Sequence, residues 1–223
     1  MSDPMSNNHA KSLSPQTDSM GAQALLEGLV TSAENQFALS LQVNGKAISV
    51  HVSPDTALVD LLRQTLGLTG TNQGCDTAQC GACTTLVDGQ AIKSCNVLAL
   101  QMQGRSVTTI EGLVFLEAST EHHFKVSHDS ILDQQLTSGK PSTLNNHLHI
   151  MQQAFLDHGA LQCGYCTPGM IMRAVSLVDE KIPIDPHAIA HALGGNLCRC
   201  TGYSGIVLAV MQGLRVLRNE VES

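Results

Sequence analysis

The sequence predicts an α+β chain, a β-rich half followed by a half of four helices. Three observations predict it. Apolar residues alternate with polar ones from Phe37 to Val52 and again after Thr84, around the turn pairs Asn44-Gly45 and Asp88-Gly89. From Leu148 onward the apolar residues recur at helical spacing. Each half carries four of the eight cysteines. A chain of 223 residues is long enough to bury at least one core.

Residues 1–36 are rich in Ser, Asn, Gln and Met and weakly periodic, so they read as a mobile extension with a short helix near 22–30. The β-rich half is expected over 37–113. Phe37, Leu39, Leu41 and Val43 alternate outward, and Ile48, Val50 and Val52 alternate on the return. Leu58, Leu61, Leu62 and Leu66 predict a helix that Gly67 ends. A loop with Gly70, Gly74 and Gly81 follows, then a hairpin over 84–94 and a last strand over 106–110. Residues 114–146 have no clear period and read as a linker or insertion. The helical half is expected over 147–223. Leu148, Met151 and Phe155 mark its first helix. Thr167 with Pro168 in the first turn, Asp185 with Pro186 as the same start signal, and Ser204 before the last helix are the expected helix caps.

Composition excludes several functions. Lys and Arg total 12 against 19 Asp and Glu, a formal charge of -7 with no basic cluster, so nucleic acid and anionic membranes are poor partners. Aromatics are 3%, too few for a base-stacking platform. No apolar run reaches transmembrane length, and the N-terminus lacks a cationic start followed by an apolar core. The expected compartment is the cytoplasm, with no membrane insertion. Eight cysteines in a reducing compartment are not expected to form four disulfides.

The thiols fall into two sets. Cys75, Cys80, Cys83 and Cys95 are spaced C-x4-C-x2-C-x11-C, and Cys163, Cys166, Cys198 and Cys200 are spaced C-x2-C-x31-C-x-C. The first spacing is the plant-type [2Fe–2S] pattern. Four thiolates give such a cluster a net negative charge, which calls for backbone N–H groups aimed at sulfur. The small-residue stretch GCDTAQCGACT can curl around an anion. Zinc also accepts four thiolates, but the x4 gap on one loop suits it less. The second set is open on spacing alone: a cluster, a zinc site, or a redox pair at Cys163 and Cys166, the last without the βαβ setting it needs.

Three motifs in order, GCDTAQCGACT, ALQCGYCTPGM and GGNLCRCTGY, resemble the iron–sulfur subunit of the molybdenum hydroxylases, a family that includes xanthine dehydrogenase and aldehyde oxidoreductases. The resemblance runs from about Phe37 to about Val216, outside 114–146. It implies an N-terminal β-grasp ferredoxin-like domain and a C-terminal four-helix domain, each with one [2Fe–2S] cluster. It also implies electron relay between a molybdopterin site on a large subunit and FAD on a medium one, during oxidation of an aldehyde or N-heterocycle. This chain would turn over no substrate alone. Gln162 and Cys200 match positions beside the pterin in the family. The family usually has Gly where Ala78 stands and often Lys where Asn72 stands. The other reading is a stand-alone two-cluster ferredoxin or a zinc-binding module. His122, His123 and His128 read as solvated side chains, and His187 and His191 as a helix-surface pair. Met170, Met172 and Met211 read as core or interface filler.

Overall fold

The protein is described here by a computed structural model covering residues 35–113 and 148–219. The short helix expected near 22–30, the 114–146 segment and its three histidines lie outside the described residues.

Strand β1 (Phe37–Val43) pairs antiparallel with β2 (Lys46–Val52), placing Phe37 opposite Val52 and Val43 opposite Lys46. Asn44 and Gly45 take φ of 50° and 77°, the two left-handed positions that a two-residue hairpin turn needs. Leu39, Leu41 and Val43 are buried while Ala38, Ser40 and Gln42 are exposed. Strands β3 (Thr84–Val87) and β4 (Gln90–Lys93) repeat the device, with Asp88 at 50° and Gly89 at 84°. Strand β5 (Ser106–Thr108) pairs parallel with β1 and antiparallel with β3, giving the order β2-β1-β5-β3-β4. The strand expected over 106–110 stops at Thr108, because Ile110–Gly112 winds into a 3-10 turn.

Helix α1 starts at Leu58–Asp60 and widens into a π-helical turn at Leu61–Thr65, where the Leu66 N–H reaches back to the Leu61 carbonyl. Gly67, at φ 69°, ends it as expected. Leu58, Leu61 and Leu62 are fully buried against Leu39, Leu41 and Val107.

Helices α2 (Ile150–Asp157), α3 (Thr167–Glu180), α4 (Pro186–Ala192) and α5 (Ser204–Leu217) build a second core from Phe155, Met170, Leu177, Ile206 and Leu214. Strand β3 joins the two cores. Neighbouring residues on a strand face opposite sides, so Val87 enters the first core and Leu86 the second. The described parts of both halves lie in one compact unit.

Asp185 caps α4 as expected, its Oδ1 accepting from the N–H groups of His187 and Ala188 at 2.9 and 3.0 Å. Thr167 and Ser204 do not cap. Each is the first helical residue, and Cys166 and Tyr203 hold the cap positions without a side-chain cap bond. The loops that carry the thiols fix those two residues. At the far end of α3, Lys181 turns left-handed at φ 49°, and the Arg218 guanidinium donates to the carbonyls of Leu177, Val178 and Ile182. His187 and His191 lie exposed on α4, while Met170, Met172 and Met211 are buried. Among the described residues no helix is long and apolar enough to cross a membrane.

Candidate metal centres

The first thiol set hangs on the loop between α1 and β3. Arg63 fixes the start of that loop by donating to the carbonyls of Thr69 and Thr71, both at 2.7 Å. The Glu111 carboxylate accepts from the Gly70 N–H at 2.8 Å. The loop then curls so that backbone N–H groups meet sulfur: the Cys80 N–H donates to Cys75 Sγ at 3.4 Å. With the Thr77 N–H it holds the Cys75 thiol down at about 6. Burial pushes Cys80 up, and burial with the neighbouring Cys83 thiol pushes Cys95 up to about 12.

The x11 gap has a geometric cause. Residues 84–94 are the β3–β4 hairpin plus Ser94, so the chain leaves Cys83 and returns beside it. The Ser94 N–H and hydroxyl both donate to the Cys83 carbonyl, at 3.2 and 2.8 Å, and set Cys95 next to Cys83.

Ala78 sits at φ 56° in this loop, in the left-handed region that an L-residue enters only with strain. An L-residue there costs roughly 1–2 kcal/mol, partly offset by the chain entropy that glycine loses on folding. Ala78→Gly is therefore expected to raise stability by about 1 kcal/mol. Denaturant unfolding of the iron-loaded chain checks this, and a lower midpoint would count against the strain.

The second set forms where α3 begins and α5 is about to begin. Cys166 caps α3, with its carbonyl accepting from the Met170 N–H at 3.0 Å. Cys163 and Cys200 are exposed, with sulfurs 3.6 Å apart. The contact with Cys163 raises Cys200. Burial and then the Cys198 thiol push Cys166 up to about 12. Burial also acts upward on Cys198, but the Thr201 hydroxyl and the N–H groups of Thr201 and Cys200 outweigh it and hold that thiol low. Gln162 is exposed beside Cys163.

A seam locks the two sets together. Asn196 is buried, and its Nδ2 donates to the Gly81 carbonyl at 2.9 Å, the Gly169 carbonyl at 3.1 Å and Thr84 Oγ1 at 3.1 Å. The Leu197 N–H donates to the Cys80 carbonyl at 2.8 Å, joining the residue before Cys198 to a thiol residue of the other set. Asn72 donates to the Tyr165 carbonyl and the Tyr165 hydroxyl to the Gln73 carbonyl, both at 2.9 Å. Sequence reasoning missed Asn196, whose bond to Gly81 spans 115 positions. No local pattern carries such a signal.

The donor sets fit [2Fe–2S] clusters. Within each set the thiols stand in pairs: Cys75 with Cys80, Cys83 with Cys95, Cys163 with Cys200, and Cys166 with Cys198. Two bridged irons each take two thiolates, whereas one zinc draws all four to a single point. Thiolates packed this closely repel one another, and a cationic inorganic core offsets that repulsion. The buried Thr167 hydroxyl, next in sequence to Cys166, has no hydrogen-bond partner among the described residues.

Comparison with known proteins agrees with these two sets. Residues 41–106 match the 2Fe-2S iron-sulfur cluster binding domain family, and residues 137–211 match the [2Fe-2S] binding domain family. The chain is 39% identical over 176 residues to the nicotinate dehydrogenase small FeS subunit of Eubacterium barkeri, covering 79% of this chain and 94% of that one. It is 36% identical over 195 residues to the aldehyde oxidoreductase iron-sulfur-binding subunit of Escherichia coli (strain K12), covering 81% of this chain and 72% of that one. A chain of quinoline 2-oxidoreductase from Pseudomonas putida 86 superposes with a TM-score of 0.65 at 34% identity, covering 85% of this chain and 99% of that one.

Proposed function

This chain belongs to the small iron–sulfur subunits of the molybdenum hydroxylases, and from that membership we infer that it is the electron-transfer subunit of a heteromeric oxidoreductase. The pairing of thiols two by two in both sets is the observation that carries the reading. When bound, each [2Fe–2S] cluster takes up and gives back one electron. Cys75, Cys80, Cys83 and Cys95 would hold one cluster, and Cys163, Cys166, Cys198 and Cys200 the other.

The chain's own part is to place these ligands and to supply charge-stabilising donors. The N–H groups of Cys80 and Thr77 do so at Cys75, and the Thr201 hydroxyl does so at Cys198. We assign residues 37–113 to a β-grasp ferredoxin-like domain and 147–223 to a four-helix domain, with the 1–36 extension and the 114–146 linker outside both. The pterin-side match of Gln162 and Cys200, both exposed, supports docking of the helical half on a molybdopterin-binding large subunit. The plant-type centre would then face a FAD-binding medium subunit. Leu161, Tyr165 and Leu197 are 36%, 50% and 55% exposed within two residues of a cysteine of the second set, as a docking face requires. The substrate, an aldehyde or an N-heterocycle, would react on the partner. A reducing cytoplasm suits eight thiols committed to iron.

Co-expression with the neighbouring genes tests the assembly. The chain is expected to purify with a large and a medium subunit and to be poorly soluble alone. A well-behaved monomer with no affinity for those subunits would sink the docking face and favour a stand-alone ferredoxin.

A further inference from the structure

The two thiol sets are not solvated alike. The N–H groups that reach Cys75 and Cys80 belong to the backbone, from Cys80, Thr77 and Gln79 to the first and from Ala82 and Gly74 to the second. Cys198 also receives a side chain: Thr201 Oγ1 lies 3.1 Å from its sulfur. A neighbouring bond fixes the direction of that contact. The Tyr203 N–H donates to Thr201 Oγ1 at 3.2 Å, so the oxygen is already an acceptor and its own proton is free to point at sulfur. A metal-bound thiolate carries no proton, which leaves the threonine as the sole donor of the pair.

Tyr203 holds this geometry. It stands at φ 68°, a conformation that an L-residue adopts only under constraint. Its hydroxyl accepts from the Cys198 N–H at 2.8 Å and donates to the Asn196 carbonyl at 3.4 Å. The Cys198 N–H is thereby spent on the tyrosine, and the Thr201 hydroxyl takes a place at the sulfur.

We propose that Thr201 is a positioning residue that donates a hydrogen bond to the Cys198 thiolate and so raises the reduction potential of the centre held by Cys163, Cys166, Cys198 and Cys200. The inference rests on the cluster reading of that set. Reduction adds one electron and one negative charge to the centre. A donor at sulfur stabilises the more negative state more strongly, and its removal makes the centre harder to reduce.

The test is an anaerobic redox titration, read by electron paramagnetic resonance, of the full-length chain in the complex it purifies with. The signal of this centre is assigned by its absence in Cys163→Ser. Thr201→Val keeps the branched shape without the hydroxyl. It is expected to lower the reduction equilibrium constant of this centre about tenfold, about 59 mV for a one-electron couple, and to leave the other centre unmoved. Thr201→Ser is expected to keep the wild-type value. An unchanged potential in Thr201→Val, or an equal shift in Thr201→Ser, would overturn the proposal. Loss of this centre's iron in both Thr201→Val and Thr201→Ala, with Thr201→Ser loaded, would make the hydroxyl a loading requirement and overturn it as well. A wild-type chain with iron only at the first set would instead refute the cluster reading on which the proposal stands.

Discussion

Gly169→Ala is expected to destabilise the chain by about 3 kcal/mol or more, although alanine in a helix interior ordinarily gains about 1 kcal/mol over glycine. The sign reverses because of what the added methyl would meet. It would sit 2.3 Å from the Gly81 carbonyl oxygen and 2.9 Å from that of Ala82, both of them backbone. The loop cannot retreat. Gly81 is at φ 72°, and a methyl on it would lie 2.5 Å from the Gly195 carbonyl. Asn196 ties Gly81 and Gly169 together from the other side. Loop and helix are pressed together where Cys80 and Cys83 take their places, so the first centre should also lose iron. Thermal unfolding and iron content of the purified variant read both effects. A variant as stable and as fully loaded as wild type would mean that the seam is looser than described.

Removal of iron and sulfide is expected to open the second thiol set before the first. No residue from Leu161 to Pro168, or from Leu197 to Gly205, is fully buried; Cys166, Cys198 and Tyr203 pack on the core only in part, so the bridged thiols carry more of the order here than at the first set. The first set keeps its own supports: Cys83, Thr84 and Ser94 are buried, and the β3–β4 ladder is intact between them. Amide exchange in 161–166 and 197–203 should rise by at least about tenfold on chelation, while β3 and β4 stay protected. Equal protection with and without iron in both regions would contradict this.

Local chemistry made much of the fold legible. Asn44-Gly45 and Asp88-Gly89 marked both hairpins, because a two-residue turn needs two positive φ values and the sequence offers the residues that tolerate them. The x11 gap carried the second hairpin within it. Helix starts were legible at Thr167, Asp185 and Ser204, but the capping residue only where a side chain does the capping, as at Asp185; before Thr167 and Ser204 the cap position falls to the preceding residue, held by a thiol loop. The π-helical turn after Asp60 has no periodic signature, since its leucines keep helical spacing. The seam through Asn196, Gly81 and Gly169 was invisible for a different reason: three residues far apart in sequence are brought together only by the tertiary fold. The same holds for Thr201, whose role depends on the left-handed turn at Tyr203.

The metal content of the purified chain tests the central claim most directly. Eight cysteines in two sets of four, each set paired two by two, predict about four iron and about four acid-labile sulfide per chain. Cys80→Ser and Cys198→Ser should each reduce both counts to about half, and each should remove a different paramagnetic signal. Zinc in place of iron, or iron without sulfide, would contradict the account.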